Sequence, residues 1–113
     1  MSQATEIGVD WVRVPLGPLG DDEMERVRVE GRDIAVYRSQ GRLCATSNVC
    51  THGAALLTDG WLEDGVIECP LHGGRFDVAT GKGLGAPIDQ DLACYALRET
   101  DGGIELAIPR AAS

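Results

Sequence analysis

Glycine sets the first limit on what this chain can fold into. Of 113 residues 15 are glycine, and the longest glycine-free stretch runs only from Ala86 to Asp101. Long amphipathic helices have little room between such breaks. Most pieces between the breaks alternate with period two, the mark of half-buried strands. Val12, Val14 and Leu16 oppose Trp11, Arg13 and Pro15, and Val27 and Val29 alternate with Arg28 and Glu30. Ile34 and Val36 face away from Ala35 and Tyr37, and Ile104, Leu106 and Ile108 alternate with Glu105 and Ala107. Leu43 to Thr46 reads as a strand. So does Leu92 to Arg98, after a turn at Asp89-Gln90-Asp91, although Ile88, Leu92, Tyr95 and Ala96 would also share a helix face. Turn signals at Glu30-Gly31, Gln40-Gly41, Asp64-Gly65 and Asp101-Gly102-Gly103 separate the strands. The pattern predicts an all-β sandwich or small barrel.

The charge narrows the partners. Ten Lys and Arg against 18 Asp and Glu give a formal charge of −8, which argues against nucleic acid, whose phosphates would repel the chain. No apolar run is long enough to span a membrane, and Met1 to Val9 lacks the basic start and apolar stretch of a secretory signal. A cytoplasmic location is therefore expected, where cysteines serve as metal ligands or buried thiols more often than as disulfides. With one Phe, two Trp and two Tyr, the core must be mostly aliphatic, and Trp11 and Trp61 are expected to pack into it.

The alternation breaks between about Asn48 and Gly85, a glycine-rich stretch that holds both histidines and two of the four cysteines. It contains Cys50-Thr51-His52 and, after sixteen intervening residues, Cys69-Pro70-Leu71-His72. Each half supplies one thiol and one imidazole and runs into glycine, at Gly53 and at Gly73-Gly74. Two soft sulfurs and two imidazoles suit a tetrahedral zinc ion or an iron–sulfur centre. Zinc sites commonly pair like ligands closely. Mixed pairs fit a two-iron centre in which one iron takes both thiolates and the other both imidazoles. Glycine lets backbone N–H groups approach the negatively charged sulfurs.

The stretches Asn48-Val-Cys-Thr-His-Gly53 and Glu68-Cys-Pro-Leu-His-Gly-Gly-Arg-Phe-Asp77, with Thr80-Gly81-Lys82 and Ala86-Pro87 downstream, resemble a Rieske-type [2Fe–2S] ferredoxin. The resemblance is closest to the small ferredoxins of bacterial aromatic-ring-hydroxylating dioxygenase systems, such as those for naphthalene or biphenyl. It implies an all-β Rieske fold: an antiparallel β-sandwich base carrying a small cluster-binding subdomain of two Cys/His loops. It implies one domain over residues 1–113, with that subdomain at about 46–87. It implies one [2Fe–2S] cluster held by Cys50, His52, Cys69 and His72, with the histidines at an exposed tip. High-potential relatives carry a disulfide between the two loops and hydroxyl donors to sulfur. Ala55, Leu71, Gly74 and Phe76 stand in those positions here. The resemblance therefore implies a potential near the low end of the Rieske range, which runs from roughly −150 to +300 mV.

It also implies an electron carrier rather than an enzyme. A non-heme iron oxygenase site needs two histidines and a carboxylate, and both histidines are committed. Gly81-Lys-Gly83-Leu-Gly85 has neither dinucleotide-binding nor P-loop spacing. The expected partners are a flavoprotein ferredoxin reductase driven by NAD(P)H and a terminal ring-hydroxylating oxygenase. The alternatives are a Rieske-type small subunit of a larger reductase, of the nitrite-reductase type, and a zinc-stabilised module. Ala54, Ala55, Leu56, Leu71 and Pro87 would either form a docking patch or pack the loops. Cys44 and Cys94 are expected to be buried structural thiols rather than ligands or a disulfide. Arg75 and Asp77 are expected to be ordinary surface charges, the alternative being an internal ion pair or polar brace, and Asp21-Asp22-Glu23 a solvated loop.

Overall fold

The computed structural model describes residues 8–51, 53–71 and 73–109. Nine strands follow one another along it: β1 (Val9–Pro15), β2 (Glu23–Val29), β3 (Arg32–Ser39), β4 (Arg42–Ser47), β5 (Trp61–Glu63), β6 (Val66–Glu68), β7 (Arg75–Asp77), β8 (Leu97–Thr100) and β9 (Gly103–Pro109). A 3₁₀ turn at Leu57–Asp59 leads into β5. The strands form three antiparallel sheets of order β1-β9-β8, β2-β3-β4 and β5-β6-β7.

The hairpins turn where the sequence places them. Glu30-Gly31, Gln40-Gly41 and Asp64-Gly65 all adopt positive φ at both positions, the left-handed geometry of two-residue hairpin turns. β3 is buried on both faces. Ile34 and Val36 join Val14, Val27, Val29, Ala45, Ile104, Leu106 and Ile108 in one core, between the two larger sheets. Ala35 and Tyr37 point the other way, into a second core with Leu57, Ile67, Phe76, Val78, Ile88 and Leu92. That second core seats the small sheet β5-β6-β7 on the base through Ile67 and Phe76, whose neighbours in sequence face outward. Fully burying side chains of this size contributes roughly 1.5–3 kcal/mol each.

Several expectations are corrected. The strand expected at Leu92 to Arg98 begins only at Leu97. The segment before it divides its backbone bonds between two sheets: Ser47 N donates to Ala93 O and Tyr95 N to Ala45 O, while Ala107 N donates to Ala96 O. It runs from one sheet to the other and makes a ladder with neither. Trp61 and Trp11 are not core residues, being 61% and 40% exposed. The Trp11 ring is instead covered by the Arg98 guanidinium, 4.0 Å from its centroid. Cys44 is half-buried and Cys94 exposed, so neither is a buried structural thiol. The acidic run does more than meet solvent. Asp21 accepts a hydrogen bond from Gly41 N at 2.9 Å, and Glu23 opens β2 while accepting one from Gly20 N at 2.7 Å.

Gly60 marks the tightest backbone approach at the entry to β5. A Cβ there would stand 2.0 Å from the carbonyl oxygen of Glu68, which is backbone and cannot swing aside. Gly60→Ala is expected to cost about 2–4 kcal/mol and lower the melting temperature by on the order of 10 °C. Thermal unfolding followed by circular dichroism checks it, and an unchanged melt would show that β5 and β6 can separate freely.

Candidate metal centre

Cys50 lies three residues past the end of β4 and Cys69 directly after β6. Their side chains meet in the second core, with Cys50 3% exposed and Cys69 fully buried. Burial pushes the Cys69 thiol up, the Leu71 amide opposes that, and the neighbouring Cys50 thiol adds to it. Leu71 N donates to Cys69 Sγ at 3.3 Å, so one backbone donor already points at sulfur. His52 and His72, the other two predicted ligands, lie outside the described residues.

Each cysteine loop closes on itself. Cys50 N donates to Ala55 O at 2.9 Å, and Val49 forms an isolated bridge with Leu56. Cys69 N donates to Gly74 O at 2.7 Å. The two loops then touch through glycine. A Cβ on Gly53 would come within 2.5 Å of Leu71 Cδ2, so the second loop lies almost on the backbone of the first. Gly74 is similarly filled by Ile88, whose Cδ1 would be 2.5 Å from an added Cβ. Leu71 and Ala55 therefore pack the loops, which favours that reading of them over an open patch. Ala54 is exposed, and Leu56 and Pro87 are half-buried. The segment that follows the Ala86–Pro87 cis bond reaches back to the first loop, where Thr51 Oγ1 donates to Gln90 O at 2.8 Å.

The residue whose role sequence reasoning missed is Asn48. Its side chain is fully buried. Nδ2 donates to Asp33 Oδ1 and to Thr58 Oγ1, both at 3.0 Å, and Oδ1 accepts from Thr58 N at 2.9 Å. Its backbone N donates to Asp33 O at 2.9 Å, and its O accepts from Leu57 N at 2.8 Å. Both flanks of the Cys50 loop are thus tied to one amide, and the amide is tied to β3. Asp33 is held in turn by Arg26, whose Nη2 lies 2.7 Å from Oδ2. The available signal was a single Asn two residues before a ligand, at the end of a strand. Asp77, expected as a surface charge, is half-buried, and its Oδ1 accepts from Ala79 N and Thr80 N to brace the turn after β7. Arg75 is exposed, as expected.

Two buried, adjoining thiols from separate loops, one already receiving a backbone N–H, match the sulfur half of a two-iron site. The model of the Rieske [2Fe-2S] domain family matches residues 12–96. The chain belongs to the Rieske [2Fe–2S] family. Its cofactor is one Rieske-type [2Fe–2S] cluster, and the donor set fits that group. The ferredoxin component of a naphthalene 1,2-dioxygenase system from Pseudomonas aeruginosa is 48% identical over 94 residues, covering 83% of this chain and 88% of that protein. The anthranilate 1,2-dioxygenase ferredoxin subunit of Burkholderia cepacia is 39% identical over 97 residues, covering 83% and 90%. Among solved structures, the Sphingomonas yanoikuyae B1 ferredoxin superposes with a TM-score of 0.79 at 36% identity, over 90% of this chain and all of that one. A chain from the complex of reduced oxygenase and oxidized ferredoxin in carbazole 1,9a-dioxygenase does so with 0.78 at 36% identity, over 85% of this chain and all of that one.

Asn48→Ala leaves Thr58 N without its acceptor and removes a donor from Asp33, at an expected cost of about 2–3 kcal/mol. Asn48→Asp is expected to be worse, since it sets a second carboxylate against Asp33. Denaturant titration and iron content per chain check both, and wild-type values for either variant would refute the role. The Arg26 guanidinium and the Asn48 amide hold the Asp33 carboxyl below its usual range. A lowered pKa means stability that is present above the unfolded value, about 3.9, and lost as pH falls through the folded one. Melts below about pH 4 should therefore show a smaller acid loss in Asp33→Asn than in the wild type.

Proposed function

We propose that this chain is a one-electron carrier ferredoxin. It takes electrons from an NAD(P)H-dependent flavoprotein reductase and delivers them to a terminal ring-hydroxylating oxygenase in the catabolism of aromatic compounds. The observation that carries this reading is the match to ferredoxin components of dioxygenase systems over 88% of their length. The relatives being ferredoxin components favours a carrier over the nitrite-reductase type of small subunit. A ferredoxin bound to its oxygenase in the carbazole 1,9a-dioxygenase complex supports the second partner. Among the described residues no helix is long and apolar enough to cross a membrane, which is compatible with a cytoplasmic carrier.

In this reading residues 1–113 form a single domain, and about 46–87 are its cluster-binding subdomain. Cys50 and Cys69 supply two thiolates, and His52 and His72 supply two neutral imidazoles. When bound, the cluster accepts and returns one electron at a time. The residues around it set how readily it does so. The Leu71 amide stabilises negative charge on Cys69 sulfur. Gly74 has no side chain, and Phe76 is fully buried with no polar atom to offer. Among the described residues few donors reach sulfur, which leaves added negative charge poorly compensated and the potential low. The surface charge of −8 steers the carrier toward basic faces on its partners.

Visible absorption and EPR of the purified protein, before and after dithionite, test the reading. A Rieske signal that appears on reduction and vanishes in His52→Ala and His72→Ala is expected. A colourless zinc-loaded protein would overturn it. The midpoint potential should lie near roughly −150 mV, the low end of the family's range, and a clearly positive value would contradict the low-potential assignment. Electron transfer from the reduced protein to the oxygenase component of a naphthalene dioxygenase system should slow as salt is raised.

A further inference from the structure

We propose that Cys44 and Cys94 form a reversible thiol–disulfide pair, an oxidation site separate from the cluster ligands. The placement comes from the backbone. Cys94 makes an isolated antiparallel bridge with Thr46 of β4, flanked by the bonds from Ser47 N to Ala93 O at 2.8 Å and from Tyr95 N to Ala45 O at 3.0 Å. Cys44 lies two residues before Thr46, on the same face of β4, and is therefore the diagonal neighbour of Cys94. Both cysteines line one surface groove, together with Arg42, Ala45, Val78 and Ala79. Cys94 is exposed and Cys44 half-buried, so an oxidant reaches the pair from solvent. The Cys94 sulfur rests on Gly81, where an added Cβ would meet it at 2.8 Å.

Diagonal neighbours in an antiparallel pair have Cα atoms about 7–8 Å apart. A disulfide usually spans up to about 6.8 Å. Closure thus asks the backbone at Cys94 to slide by about 1 Å along β4, toward Cys44. Two backbone hydrogen bonds, from Ser47 N to Ala93 O and from Tyr95 N to Ala45 O, resist that slide, so the shift is local. A bond closed against such a restraint is readily reduced, which makes it reversible. The surroundings make it slow to form. Burial raises both thiols, Asp77 raises both, and Cys44 raises Cys94. Asp91 adds to the rise at Cys94, and Arg42 opposes it at Cys44. The thiolate fraction at neutral pH is therefore small, and the pair yields to sustained oxidant rather than to traces.

The oxidant is hydrogen peroxide. The Cys94 thiolate attacks one peroxide oxygen, the O–O bond breaks, and sulfenic acid and hydroxide result. The Cys44 thiol then attacks the sulfenic sulfur, the S–S bond forms and water leaves. The two thiol protons end on the departing oxygens, so two thiols and one peroxide give one disulfide and two waters.

The test uses the cluster-loaded protein. Its visible spectrum is recorded first; it is then pre-reduced, desalted, exposed to hydrogen peroxide, alkylated and analysed by tandem mass spectrometry under non-reducing conditions. The expected product is a Cys44–Cys94 crosslink, two hydrogen atoms lighter, that dithiothreitol reverses and that Cys44→Ser and Cys94→Ser each abolish. Three outcomes would overturn the proposal: Cys94 driven to sulfinic acid beside a free Cys44, a Cys94-linked dimer of chains, or both thiols unreacted. A crosslink with no Rieske spectrum would support the pair and refute the carrier reading, so the two fail separately.

Discussion

The metal centre depends on how one buried amide is satisfied. Asn48 sits where a base strand ends and a cysteine loop begins, and every polar atom of its side chain is used within the protein. An unpaired amide there would be costly, so the loop is free to take only the shapes that keep those bonds. The anchor is in turn a carboxylate fixed by an arginine on the next strand. A line of hydrogen bonds therefore runs from the solvent side of β2, through β3, to both sides of Cys50. Among the described residues the second loop has no such anchor. It is placed by contact, with Leu71 against Gly53 and Ile88 against Gly74. One half of the site is positioned by directional bonds and the other by shape.

This division suits a carrier. Electron transfer asks the surrounding protein to change little between two charge states, and a loop tied at both flanks to the buried Asn48 has little to rearrange. The two thiols lie inside an apolar core, among Leu57, Ile67, Phe76 and Val78, where water is excluded. What the chain contributes is ligands, enclosure and a few N–H dipoles. Substrate chemistry belongs to larger partners.

How much of this was legible in the sequence follows from what each feature depends on. The Glu30-Gly31, Gln40-Gly41 and Asp64-Gly65 turns are local, because a positive φ at two successive positions leaves its mark in residue type. The strands around them alternate, so β1 to β4 and β9 were readable. Cys50 and Cys69, which meet in the second core, stood out by their spacing. β5, β6 and β7 are three residues each, too short to show a period. The segment before β8 alternates like a strand yet is shared between two sheets, which only the tertiary arrangement decides. Trp61 was misjudged because size suggests burial, whereas its neighbour Leu62 is the residue that turns inward. Cys94 differs for a similar reason: its stretch reaches the core through Leu92, while Cys94 itself stays exposed. Asn48 was visible as a residue, but its role is a set of partners from β3 and the 3₁₀ turn.

The pairing of β1 with β9 runs from Val9 opposite Pro109 to Pro15 opposite Gly103. The sheets β2-β3-β4 and β5-β6-β7 are meanders whose strands pair with their immediate successors. Their local pairings can form in a refolding chain while β1 still has no partner. β1 pairs with β9, and that pairing carries the largest loop-closure entropy among the described strands. The contact that seals the base is therefore the most distant in sequence, while those that shape both cysteine loops are local, so the redox end can take form on a base that is still open.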